Sequence, residues 1–144
     1  MAIFYGDGSN SNTGRIVKVS TNSYRFNFTT SSGSYVENGM NIDFACTDSN
    51  NRILILITCA LDGQSSQCFM TIYKDGSNML QFEGFGASQS SARSLSAAQI
   101  TIVPGDTNSH AYRVRIRKGS GSGSVEGPPW STGHQSITVL EIAD

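Results

Sequence analysis

The sequence is short of charge. Asp, Glu, Lys and Arg make up 15% of its 144 residues and the net charge is −1, with a pI of about 6.1. That balance excludes a protein whose overall field gathers nucleic acid. Cysteine is scarce as well. Cys46, Cys59 and Cys68 are odd in number and form no Cys-x-x-Cys pair, which argues against zinc and against a disulfide framework. They read as reduced, buried thiols in a chain that folds in a reducing compartment. Long apolar runs are missing: "ILILI", Ile53 to Ile57, even when extended by "TCAL", is too short to span a bilayer. The opening "MAIFYGDGSN" lacks the basic start and apolar stretch of a secretory signal. The expectation is a protein made in the cytoplasm without membrane insertion, whose sequon Asn27-Phe28-Thr29 is a chance match. No amphipathic helix is legible. The one helix-permissive window, "SQSSARSLSAAQ" from Ser88 to Gln99, has no apolar stripe and reads as a loop.

What remains is rich in Ser, Thr, Asn and Gly, the composition of strands joined by turns. "RIVKVS" begins a strand at Arg15. In "YRFNFTT", Tyr24, Phe26 and Phe28 share a face, and in "YVENGMNIDFACT" Met40, Ile42, Phe44 and Cys46 do. "QCFMTIYKDGSNMLQFEGF" carries a hairpin signal at Asp75-Gly76. "AQITIV", "HAYRVRIRK" and "SITVLEIA" complete the set, and "GSGSGSVEGPP" reads as a flexible loop before the last strand. Eight or nine short strands without crossover helices predict an all-β, antiparallel β-sandwich or barrel.

Two of these strands are apolar on both sides. Ile53, Ile55 and Ile57 point one way, Leu54 and Leu56 the other; Ile137 and Val139 oppose Leu140 and Ile142. One face fills the sandwich core, and the other calls for a second surface. Ile53, Leu54, Ile55, Leu56, Ile57, Leu140 and Ile142 are therefore the expected oligomer interface.

"MAIFYGDGSNSNTGRIVKV" and "SITVLEIA" resemble the opening and closing segments of small structural proteins of marine tailed phages, particularly those infecting cyanobacteria. "NRILILITCAL" and "AYRVRIRKGSGSG" resemble two of their middle strands. Those proteins in turn resemble the tumour necrosis factor and complement globular-head superfamily. The resemblance implies a jelly roll assembled as a homotrimer, with an extended segment over residues 1–14 and one jelly-roll domain over 15–144. It further implies a virion component, a tail-fibre tip or surface decoration that contacts the host or another virion protein. Fibre proteins usually have a long stalk ahead of the head, and nothing before Arg15 has heptad or repeat character. The alternative is a free-standing, lectin-like carbohydrate-binding module.

Chemistry is hard to find. His110 and His134 read as exposed loop histidines, with no G-x-S-x-G or H-E-x-x-H around them. "GSGSGS" lacks the Lys-Ser/Thr of a phosphate loop, and "FYGDGSNSN" lacks the acidic density of a calcium loop. Asp43, Asp48, Asp62, Asp75, Glu83, Glu126 and Glu141 are scattered. No catalytic residue, cofactor or metal is assigned, and the chain is expected not to be an enzyme. Binding residues are better candidates. Trp130 follows two prolines on a loop, where aromatic residues anchor ligands or plug their own loop. Arg113, Arg115 and Arg117 line one face of a strand. The row reads first as the wet side of a sheet, with Glu37 or Glu83 as cross-strand partners. It reads second as a subunit contact, and third as a grip on an anionic host surface glycan. On the first reading, changing all three to serine leaves stability within about 1 kcal/mol.

Overall fold

In the last strand, Gln135–Ile142, every second residue is buried and those between are half-buried. That alternation places one side of the strand against a core. A computed structural model describes residues 14–79, 85–88, 93–127 and 135–144, and the same pattern recurs through it. The strands in chain order are β1 (Ile16–Tyr24), β2 (Thr29–Thr30), β3 (Val36–Ala45), β4 (Arg52–Asp62), β5 (Ser66–Lys74), β6 (Ser77–Asn78), β7 (Phe85–Ser88), β8 (Arg93–Ile102), β9 (Ser109–Gly121), β10 (Val125–Glu126) and β11 (Gln135–Ile142). Among the described residues there is no helix.

All pairings are antiparallel, and they form two sheets. One runs β1-β11-β4-β8, with β10 and β2 continuing from the end of β4. The other runs β3-β9-β5-β7, with β6 also paired to β5. Counting only the eight principal strands along the chain, these orders are 1-8-3-6 and 2-7-4-5. That winding, in which consecutive strands alternate between sheets except at the fourth and fifth, is the jelly roll.

The core lies between the sheets. Ile53, Ile55, Ile57, Cys59 and Leu61 of β4, with Ile137 and Val139 of β11, face Met40, Ile42 and Phe44 of β3, Cys68, Met70 and Ile72 of β5, and Tyr112, Val114 and Ile116 of β9. Tyr24, Phe26 and Phe28 pack against the same core, but only Tyr24 is in a strand; Phe26 and Phe28 lie in the link to β2. The interior placement of Ile53, Ile55 and Ile57 removes them from the expected oligomer interface, because the chain's own second sheet already covers them.

Two loop expectations give way to strand. The Ser-rich window assigned as loop contributes to β8 from Arg93 onward, paired with β4 along its whole length. The stretch read as a flexible Gly-Ser loop extends β9 to Gly121 and then forms β10. Its glycines are packed. A Cβ at Gly121 would strike Ser65 O and Ser66, and one at Gly123 would overlap Gln64 O. Gln64 and Ser65 form the β4–β5 turn at positive φ of 29° and 68°, and Ser66 Oγ donates to Gly123 O at 3.0 Å. The absent side chains are what let the turn close on the strand.

Two inward positions of β11 are polar, Gln135 and Glu141. Glu141 is fully buried, in the register row of Lys18 and Ile53. Its Oε1 accepts from Thr47 N at 2.7 Å, Thr47 Oγ1 at 2.7 Å, Asn51 Nδ2 at 2.7 Å and Asp48 N at 3.4 Å. It thereby pins the β3–β4 turn. Burial alone raises this carboxyl, but the hydrogen bonds from Asn51, Thr47 and Asp48 outweigh it and hold the group below the usual range. A carboxylate depressed in the folded state adds stability above its unfolded pKa, and that stability is lost as pH falls through the folded value.

Glu141→Gln is expected to cost about 2–3 kcal/mol near neutral pH. In urea unfolding the difference from wild type should shrink on acidification below about pH 4; a constant difference would rule out the carboxylate's role. Gly123→Ala should destabilise by more than about 1 kcal/mol, the scale of overpacking, and an unchanged midpoint would show that the turn yields freely.

Candidate functional site

The two sheets present unlike outer faces. On the β3-β9-β5 sheet, Arg113, Arg115 and Arg117 stand opposite Tyr73, Thr71 and Phe69 of β5. The alternation of β9 puts Tyr112, Val114 and Ile116 in the core, so the arginines must face outward. They are neither free nor fully solvated. Arg113 pairs with Asp43 at 2.8 Å and Arg115 with Glu37 at 2.8 Å, with side chains 26% and 23% exposed. The Arg115 guanidinium stacks 4.0 Å from the Tyr73 centroid. Arg117 lies 4.4 Å from the ring of Phe69 and 5.2 Å from that of Tyr35. Tyr35 and Tyr73 meet edge-on at 6.4 Å.

This lattice covers the sheet. Thr71 is an outward residue directly opposite Arg115, yet it is fully buried, and its hydroxyl donates to Asn78 Oδ1 at 2.8 Å. The Glu37 partner expected from the sequence is in place, and Asp43 and the aromatic stack add to it. An anionic ligand at Arg113 or Arg115 has to displace Asp43 or Glu37. Trp130, the other expected binding residue, lies outside the described residues, as do Glu83, His134 and the segment "FYGDGSNSN".

The outer face of the β1-β11-β4 sheet is different. Register sets Val19 beside Leu140 beside Leu54, Thr21 beside Thr138 beside Leu56, and Ile16 beside Ile142 beside Arg52. Val19 and Ile16 are each 54% exposed and Leu56 36%, while Leu54, Leu140 and Ile142 are half-buried. In these three rows Arg52 is the one charged side chain, and it pairs with Asp144 at 3.1 Å. The face is an apolar band edged by threonine hydroxyls, with Thr21 and Thr138 bonded to each other at 3.0 Å. Of the seven expected interface residues, Leu54, Leu56, Leu140 and Ile142 lie here. Val19 and Ile16 join them unforeseen; "RIVKVS" held the signal, since its apolar residues had no core face to fill.

Two other groups bear on chemistry. The thiols of Cys59 and Cys68 are pushed up to about 12 by burial, which makes them inert core residues. His110 is not an exposed loop histidine. It lies in β9, 13% exposed, with Asp75 and Asp106 at its two ring nitrogens.

The chain matches no protein-family profile and no curated protein. Among solved structures, it is similar to part of a chain in the crystal structure of the T13 IBDV viral particle, with a TM-score of 0.47 and 13% identity, over 87% of this chain and 35% of that one. This chain thus spans about a third of that neighbour's length.

The structure raises the stability at stake in the arginine row. Arg115→Ser removes an ion pair and a ring stack and uncovers Thr71, so it is expected to cost about 1–2 kcal/mol in urea unfolding. A loss too small to measure would show that the lattice only decorates the sheet.

Proposed function

We propose that the protein is a non-enzymatic structural component of a phage virion, assembled as a homotrimer through the outer face of β1, β11 and β4. In that role it serves as a tail-fibre tip or surface decoration that adheres to the host or to another virion protein. The apolar band is the observation that carries this reading. A small soluble domain rarely leaves contiguous valine, leucine and isoleucine bare on the middle of a sheet. Copies of the same chain related by rotation cover such a face with matching apolar surface. The terminal segments that resemble small structural proteins of marine phages, and the jelly-roll winding, support the virion role and a tumour necrosis factor-like arrangement. Synthesis in the host cytoplasm fits the reduced thiols.

A second reading rests on the opposite sheet. Tyr35, Tyr73 and Phe69 are half-buried, held rigid by guanidinium stacks, and rigid aromatic surfaces suit sugar rings. On that reading the protein is a lectin-like module, and binding to a glycan array without other virion proteins would favour it.

The test of the trimer is its mass in solution by light scattering. A protomer of 15.4 kDa gives a trimer of about 46 kDa. Leu56→Asp puts a charge on an outward position that a monomer tolerates, so the expected product is a folded monomer. A monomeric wild type, or a mutant that keeps the wild-type mass, would sink the interface.

A further inference from the structure

Both ring nitrogens of His110 face carboxylates. Nδ1 lies 2.5 Å from Asp75 Oδ2 and Nε2 lies 3.0 Å from Asp106 Oδ1. The ring stands near the start of β9, opposite Phe44 of β3, at one end of the core. Asp75 opens the β5–β6 turn with a positive φ of 49°, and its other oxygen accepts from Ala111 N at 2.8 Å. Asp106 belongs to the segment that carries the chain from β8 in one sheet to β9 in the other. Asn108 N donates to it at 2.7 Å, and Lys74 Nζ reaches Pro104 O of the same segment at 3.4 Å.

A neutral imidazole has one N–H and can donate to one carboxylate. Its other nitrogen then turns a lone pair toward an ionised oxygen. Only the imidazolium donates to both. We infer that His110 is a proton-operated latch: doubly protonated, it ties the β8–β9 segment to the β5–β6 turn, and on losing one proton it lets Asp106 go and loosens this end of the sandwich.

Asp106 is the partner released. Each carboxylate is also held by a backbone amide, Asp75 by Ala111 and Asp106 by Asn108, so the ring contact decides, and that to Asp75 is the shorter. The remaining proton therefore stays on Nδ1. Asp106 and Asp75 are comparably exposed, 42% and 47%, and Asp106, once released, can turn to water. The amide of Ala111 and the ring hold Asp75 below its usual range, and the amide of Asn108 and the ring do so for Asp106 despite some desolvation. Their contribution is present above the ordinary aspartate pKa and is lost as pH falls through the lowered values, so the latch keeps both acceptors down to that range.

Other charged and titratable groups lie near the latch. Lys74 adds an ammonium on the β5 side, 3.4 Å from Pro104 O. Toward the core, burial and Glu141 push the Cys46 thiol up, and burial pushes the Tyr112 hydroxyl up. With Lys74, both carboxylates and the imidazolium the local charges cancel; with a neutral ring one negative charge remains. Among the described residues no three His, Cys, Asp or Glu side chains converge as metal ligands, and here the two carboxylates sit at opposite ring nitrogens rather than around one point.

The test is hydrogen exchange of the amides from Asp106 to Ala111, corrected for intrinsic rates, at about pH 5.5 and about pH 8.5, on either side of the usual histidine range. Wild type should lose about tenfold in protection at the higher pH; equal protection would overturn the latch. Asp106→Asn should show the lower protection at both, and a retained pH step would overturn it. Nitrogen NMR of the His110 ring in a His134→Asn background gives an independent readout. It should show both nitrogens protonated at the lower pH and only Nδ1 at the higher, and a ring that first deprotonates at Nδ1 would overturn the assignment.

Discussion

A β-strand has two faces, and a two-sheet sandwich can bury only one of them in its own core. The rest of this structure follows from how each sheet deals with the other face. Inward rows from Met40 to Phe44, Ile53 to Leu61, Tyr112 to Ile116 and Ile137 to Val139 meet across one interior. Outside the β3-β9-β5 sheet, arginines stacked on aromatic rings and paired with Asp43 and Glu37 form a cover that the chain supplies for itself. Outside the β1-β11-β4 sheet the described residues supply no such cover, and Val19, Leu54, Leu56 and Leu140 are exposed or half-buried. The two sheets differ in this: one outer face is covered by the chain's own paired and stacked side chains, and the other shows apolar side chains.

Buried polar groups fix the winding at several points. Glu141 interrupts an apolar row to gather donors from the β3–β4 turn. Gln135, also buried, accepts the Ala60 amide at 2.6 Å with its side chain. Asn38 donates to Gly127 O at 2.9 Å and accepts from Met40 N at 3.1 Å beside the irregular register of β3. Each satisfies backbone groups that the ladder leaves open, as a closed interior requires.

Much of this was legible in the sequence, for identifiable reasons. The alternation of β3, β9 and β11 is strong, and Asp75-Gly76 carries its own turn geometry, so these elements could be read directly. β8 could not. Its inward positions Ser94, Ser96 and Ala98 are small and carry little apolar signal, and only the register against β4 identifies it as strand. The glycines of "GSGSGS" spell flexibility by composition and close packing by position. Glu141 was readable in principle, since it falls in phase with Ile137 and Val139, and an acid on an inward phase signals a buried network. Asp75, Asp106 and His110 share no spacing rule; topology alone brings them together.

The place of β11 has a consequence for biosynthesis. It is the last of the described strands in chain order, yet it lies inside its sheet, between β1 and β4. Until it emerges from the ribosome, β1 has no partner in that sheet and β4 shows an open edge carrying isoleucine on its inner side. The second sheet, by contrast, is complete once β9 is out. The nascent chain therefore holds half a sandwich over an unfinished apolar layer, and closure is a single late event that depends on the C-terminal strand finding an internal slot. Pairing of that sequence separation is slow by its nature, and the interval before it is when the chain is most exposed to sticking to its neighbours.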